Sequence, residues 1–86
     1  MTAPLWWLSF SDPDRQEGDR FLGGCVVAAY DLVGACRAAW ALECNPGGEM
    51  RGEKIPAENA AMIKRSDVGR LMDLAACRVF SQRFAS

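Results

Sequence analysis

Three features of this sequence have residue types suited to chemistry: four cysteines, an acidic loop and a glycine pair behind a proline. The chain has no histidine, which excludes Ser-His and Cys-His dyads and a mixed Cys/His zinc site. The cysteines form no C-x-x-C pair and lie among apolar neighbours: Cys25, Cys36, Cys44 and Cys77. Small buried thiols in a reducing cytoplasm fit this pattern better than a metal site or a disulfide framework. We predict no metal and no cofactor.

The acidic loop carries four carboxylates in ten residues: Asp12, Asp14, Glu17 and Asp19. A calcium-binding EF-hand loop that starts at Asp12 needs glycine at position 17 and glutamate at position 23, where this chain has Glu17 and Gly23. The proline and glycine in the loop indicate an exposed connection, which lacks the burial that raises a carboxyl pKa for acid–base catalysis. We therefore predict a solvated loop that serves at most as a second partner-binding patch, and no enzymatic activity or small-molecule substrate.

The glycine pair lies in "ECNPGGEM", Glu43 to Met50, directly after a predicted helix. A phosphate cradle uses the positive N-terminal end of a helix, whereas this loop adjoins the negative C-terminal end and adds Glu43 and Glu49. Pro46 and Gly47 instead suit the two central positions of a type II turn. The glycines are predicted to turn the chain into its next strand.

Length and composition indicate one small folded domain over residues 1–86, with half of its residues apolar and 24% charged. Residues 1–50 hold three basic and seven acidic side chains, and residues 51–86 hold seven basic and four acidic ones. This asymmetry allows attraction of a charged partner or head-to-tail pairing with a second copy, although solvated surface charges also explain it.

The start of the chain lacks a signal-peptide pattern, and no apolar segment approaches the roughly 20 residues of a membrane span. We predict a cytoplasmic protein without membrane contact.

The segment "LWWLSF", Leu5 to Phe10, is apolar on both faces and is therefore predicted to be the central strand of a sheet. A strand over 21–29 follows, and then a helix that runs from its cap Asp31 to about Cys44. The next elements are a charged edge strand over 49–55 and a short helix over 56–63. The last element is a helix capped by Ser66. These elements predict an α+β fold, ββαβα, in which two main helices pack on a three-stranded antiparallel sheet of order 2-1-3.

Apolar stripes predict which faces of the two main helices lie on the sheet. The first stripe comprises Leu32, Cys36, Ala39 and Trp40, and the second comprises Val68, Leu71, Met72, Ala75, Ala76 and Val79. Cys77, Phe80 and Phe84 lie largely off the second stripe. Either the chain end packs on its own sheet, or these three residues contact another molecule, as a protein partner or a homodimer.

Basic residues in and near the last helix support an alternative function, a small nucleic-acid-binding accessory protein that uses Arg70, Arg78 and Arg83. These arginines scatter around the predicted helix axis, and no aromatic residues alternate with them. The sequence pI of about 5.3 is below that of the usual basic footprint. Protein binding is therefore the preferred prediction.

The residues "RFLGGCVVAAYDLVGACRAAWALECNPGGE", Arg20 to Glu49, resemble a pattern in short uncharacterised proteins of bacteria and their phages. The resemblance is carried by "RFLG", an alanine and an aspartate at the helix start, "AW" within the helix and "NPGGE" at its end. It implies a strand–helix–strand core and transfers no catalytic residue. A phage origin implies inhibition of a host or defence protein as one use of such a module.

Overall fold

A computed structural model of the chain describes residues 3–82. The strands are β1 (Leu5–Ser11), β2 (Phe21–Ala28) and β3 (Glu49–Lys54), and the helices are α1 (Leu32–Ala41), α2 (Ala57–Ala60) and α3 (Leu74–Gln82), with a 3-10 turn over Arg65–Asp67. The strands form an antiparallel sheet of order β2-β1-β3 with helices packed on it, which confirms the predicted α+β fold and its ββαβα order. Each helix within residues 3–82 falls short of the length and apolarity that crossing a bilayer requires.

The central strand β1 is covered on both faces because its side chains alternate between two hydrophobic cores. Leu8 and Phe10 are fully buried on the side where α1 places Ala35 and Ala39. Trp7 points to the opposite side, into the core that α3 covers. The sheet is thus a middle layer with α1 on one face and α3 on the other.

Helix α1 begins where the sequence predicts and ends earlier. The Oδ1 atom of Asp31 accepts a hydrogen bond from the Gly34 amide at 2.7 Å, so Asp31 is the N-cap. The helix ends at Ala41, three residues before the predicted end at Cys44. It ends there because Glu43 takes a left-handed φ of 58°, and because the amides of Glu43 and Cys44 return to carbonyls of the last turn at 3.1 and 3.0 Å.

The Glu43 position gives a first testable prediction. Glu43→Gly is expected to raise the free energy of unfolding by about 0.5–1 kcal/mol, because glycine adopts the left-handed conformation without the steric cost that a Cβ imposes. Urea unfolding followed by circular dichroism measures the change. Glu43→Ala is the control, since it also removes a negative charge from the helix C-terminus but keeps the Cβ. An equal gain in both variants would assign the effect to charge instead of backbone strain.

The loop after α1 has the structural role predicted for its glycines. Gly47 and Gly48 have φ angles of 92° and 75°, and the Asn45 side chain accepts a hydrogen bond from the Gly47 amide at 2.7 Å. A Cβ on Gly48 would collide with the carbonyl of Ser11. Both glycines therefore let the chain reverse closely against the end of β1.

The face that α1 presents to the sheet differs from the predicted stripe. Ala35 and Ala39 are fully buried, whereas Leu32 and Trp40 remain 43% and 60% exposed. The large side chains of β1 already fill this face of the sheet, so the helix packs through its small residues.

The last helix begins at Leu74, eight residues after the predicted cap Ser66. Asp73 is near its start and accepts a hydrogen bond from the Ala76 amide at 2.8 Å. The predicted helix over Val68–Met72 is wrong, because this segment is extended and Gly69 takes a φ of 75°, which a right-handed helix excludes.

Candidate protein-interaction surface

The structure corrects the predicted partner contact at Cys77 and Phe80. Both side chains are buried in the core beneath α3, and Phe80 stacks on Trp7 with ring centroids 5.6 Å apart and planes 12° apart. The alternative in which the chain end packs on its own sheet therefore holds for these two residues. Phe84, the third predicted contact, lies outside the described residues.

Two of the buried thiols, Cys25 and Cys77, have a raised pKa. Burial raises the pKa of Cys25 well above its usual range, and the neighbouring Cys44 thiol raises that pKa further. Burial likewise raises the pKa of Cys77. Because the thiolate is the reactive form, neither Cys25 nor Cys77 has the depressed pKa of a catalytic nucleophile. All four cysteines are free thiols.

The acidic loop connects β1 to β2 and is held largely by contacts within itself. The Asp12 carboxylate accepts a hydrogen bond from the Asp14 amide at 3.0 Å. It also forms a salt bridge with the Arg15 side chain at 3.5 Å. Glu17 and Asp19 are exposed, as Asp14 is. Use of this loop as a second partner-binding patch stays a prediction. Within residues 3–82, no three His, Cys, Asp or Glu side chains are grouped closely enough to hold a metal ion.

The predicted basic surface is divided between two elements. Arg78 is exposed on α3, whereas Arg70 is exposed in the extended segment that precedes this helix. Arg83 lies outside the described residues. Arg70 and Arg78 therefore do not form the row on one helix that the nucleic-acid alternative requires.

Two concavities on the α3 side of the sheet are lined mainly by apolar residues. One, of about 240 Å³, lies beside Trp7 and Phe80. The other, of about 830 Å³, is an open groove between the start of β1 and α2. Neither is lined by a cysteine or by two carboxylates among the described residues, so neither brings together a nucleophile and its base.

A surface that the sequence did not predict lies along one side of α1. Leu32, Val33 and Trp40 are 43%, 64% and 60% exposed. On a helix these three positions share one side, because i, i+1 and i+8 differ by no more than about 100° around the axis. We call this set the α1 flank.

Gly52 in β3 shows toward which edge of the sheet the α1 flank is turned. A Cβ on Gly52 would collide with the Leu32 side chain and approach Leu8 at 3.0 Å, so Leu32 lies directly over β3. Through Leu32, the α1 flank therefore borders the β3 edge of the sheet.

The β3 edge has unpaired main-chain groups. The Ile55 amide donates to the Leu5 carbonyl at 2.9 Å, which continues the register of Trp7 opposite Glu53. In an antiparallel ladder, alternate residues direct both polar groups to the same neighbour. Residues 49, 51, 53 and 55 thus pair with β1, and the amides and carbonyls of Met50, Gly52 and Lys54 point away from the sheet.

The opposite edge of the sheet is covered by the chain itself. Gly24 and Met72 exchange two hydrogen bonds of 2.7 and 2.9 Å, and the Gly69 amide donates to the Val26 carbonyl at 2.7 Å. The segment Val68–Met72 thereby covers β2. Among the described residues, β3 provides the open edge of this sheet.

Comparison of the chain with protein-family models, with curated proteins and with solved structures found no match. The resemblance to short bacterial and phage proteins stays a prediction.

Proposed function

We propose that this protein is a non-enzymatic interaction module that binds a protein through the α1 flank and the adjoining β3 edge. The observation that carries the proposal is the exposure of Leu32, Val33 and Trp40 beside an edge with unpaired main-chain groups. A partner that covers this surface gains apolar contact from the helix and hydrogen bonds from the strand.

The residue types of the flank suit recognition. Tryptophan is among the residues that contribute most to binding when a partner covers them, and Trp40 is held on a helix that Ala35 and Ala39 anchor to the core. Large apolar side chains grouped on one side of a helix mark an interaction site more strongly than the same side chains scattered singly. Little reorganisation is needed for binding, because regular elements hold both parts of the surface.

A matched pair of valines tests the use of the flank. Val33 on α1 and Val79 on α3 are 64% and 61% exposed, and they lie on opposite faces of the sheet. Two differently tagged copies of the chain are expressed together in bacterial cells, and all proteins retained with one tag are identified and quantified. Val33→Ala is expected to reduce the retained partner about tenfold, because two buried methyl groups contribute about 0.8 kcal/mol each. Trp40→Ala is expected to reduce it further.

The Val79→Ala variant should retain the partner at the level of the unsubstituted chain. Equal retention by the Val33→Ala and Val79→Ala variants, or the retention of no protein at all, would contradict the proposal. Salt-sensitive binding to random duplex DNA that Arg78→Ala weakens would instead favour the nucleic-acid alternative. Inhibition of a host or defence protein stays a prediction from the resemblance alone.

A further inference from the structure

We infer that the β3 edge binds a second copy of this chain, whose own β3 adds antiparallel across a two-fold axis at Gly52. The inference rests on the proposed function, since it names the partner of one part of the proposed surface. It combines three observations: the direction of the free main-chain groups, the order of charges along β3 and the position of Leu32 over the strand.

The free main-chain groups fix which residues can pair. Because Gly52 directs its amide and its carbonyl outward, two copies of Gly52 that face each other exchange two hydrogen bonds. The same symmetry pairs Met50 of each copy with Lys54 of the second copy. Each outward amide and carbonyl of Met50, Gly52 and Lys54 then has a partner, and two three-stranded sheets become one of six strands.

The charges along β3 favour this register. With the axis at Gly52, Arg51 of each copy lies opposite Glu53 of the second copy, so the interface contains the same oppositely charged pair twice. Directly opposed residues of an antiparallel pair point to the same face, and in a pair without mutual hydrogen bonds their Cα atoms are only about 4.5 Å apart.

Neighbouring registers place like charges opposite each other. An axis at Arg51 brings the two arginines together and sets Glu49 against Glu53 of the second copy. An axis at Glu53 brings two glutamates together. Cross-strand like charges destabilise a sheet, so both of these registers are disfavoured. An axis at Met50 also opposes Glu49 and Arg51, but it sets Gly52 against Gly48 and Lys54 against Pro46, which lie in the loop before β3 and include a proline without an amide hydrogen.

Leu32 adds an apolar contact on the other face of the sheet. Its side chain covers Gly52, where a Cβ would collide with it, and it is 43% exposed. Two Gly52 residues facing across the axis bring the two Leu32 side chains together above them. The interface thus has ion pairs on one face, main-chain hydrogen bonds in the middle and leucines on the α1 face.

Charge-reversed variants, studied singly and as a mixture, test this pairing. Sedimentation of the full chain over a concentration series is expected to give a mass that rises from 9.4 kDa toward twice that value. Arg51→Glu and Glu53→Arg are each expected to raise the dimer Kd at least about tenfold, because each sets like charges opposite each other twice. An equimolar mixture of the two variants restores dimerisation, since every opposed pair then carries opposite charges. The double variant Arg51→Glu/Glu53→Arg restores it within one chain.

Folding controls accompany these variants. In β1 the neighbours of Arg51 and Glu53 are the uncharged Ser9 and Trp7, so both reversals should leave the circular dichroism spectrum and the thermal midpoint unchanged. Slower hydrogen exchange of the Gly52 amide at high protein concentration provides a second readout.

A mass of 9.4 kDa at every concentration, or a dimer that neither reversal weakens, would overturn the inference. So would a mixture that associates no better than the single variants. If the chain stays monomeric while another protein is retained in a manner that Val33→Ala abolishes, the inference fails and the proposed function stands. If the chain dimerises through β3 and Val33→Ala and Trp40→Ala leave retention of every partner unchanged, the α1 flank loses its proposed function and the dimer remains.

Discussion

Replacing Phe80 with alanine is expected to lower the free energy of unfolding by about 3 kcal/mol, the largest stability effect that we predict. Phe80 is 6% exposed and stacks on Trp7, so its removal loses both burial and an aromatic pair and leaves a cavity beneath α3. For a domain of this size the change lowers the thermal midpoint by more than about 10 °C. Thermal unfolding monitored by near-ultraviolet and far-ultraviolet circular dichroism measures it.

Val79→Ala is the control for this prediction, because Val79 precedes Phe80 on the same helix and is 61% exposed. Its effect should stay within about 0.5 kcal/mol, the usual range for surface substitutions. Equal midpoints for the two variants would mean that α3 does not pack on the sheet, and Phe80 would again be available to a partner.

Gly24→Ala is expected to lower the free energy of unfolding by about 2–3 kcal/mol, the second-largest stability effect, through overpacking alone. A Cβ at this position would lie 2.6 and 2.7 Å from two carbons of the Trp7 ring. The φ angle of Gly24 is not positive, so its backbone conformation suits alanine. The loss of stability therefore comes from the steric collision. Urea unfolding of the variant measures the loss.

A double-mutant cycle with Trp7→Leu identifies the cause. The smaller side chain removes the collision, so Gly24→Ala should cost less than 1 kcal/mol in the Trp7→Leu background. The same cost in both backgrounds would show that the alanine methyl group meets something other than the tryptophan ring.

The sheet order could be predicted because "LWWLSF" is apolar on both faces and "EMRGEK" is charged on both. Only a central position buries the first segment, and only an edge position leaves the second in water. The cap at Asp31 and the turn at Gly47 followed from side-chain and backbone preferences that act within a few residues. These features depend on local chemistry, which a single sequence contains.

The start of the last helix could not be predicted because a tertiary contact decides it. Val68, Leu71 and Met72 fit a helical stripe, yet pairing with β2 satisfies edge groups of the sheet and holds this segment extended. A delayed helix start also changes which residues share a face. Cys77 and Phe80 consequently face the core, although the predicted stripe placed them outside it.

The α1 flank was missed for a related reason. The spacing of apolar residues correctly places Leu32 and Trp40 on one side of a helix. It does not show how much space the sheet leaves for large side chains. The side chains of Leu8 and Phe10 occupy that space, so the helix turns its alanines inward. The available signal was that α1 carries three large apolar residues beside four alanines, and that a sheet face already filled by large side chains accepts the alanines.

The covered β2 edge determines how far sheet extension can proceed. A strand that joins this sheet can do so at β3, since Val68–Met72 already occupies the hydrogen-bonding groups of Gly24 and Val26. An assembly that uses the β3 edge of each copy therefore closes after two copies, whereas a sheet with both edges open would allow an endless ribbon. A chain whose residues 68–72 detached from β2 would have two open edges, as a fibre-forming unit has.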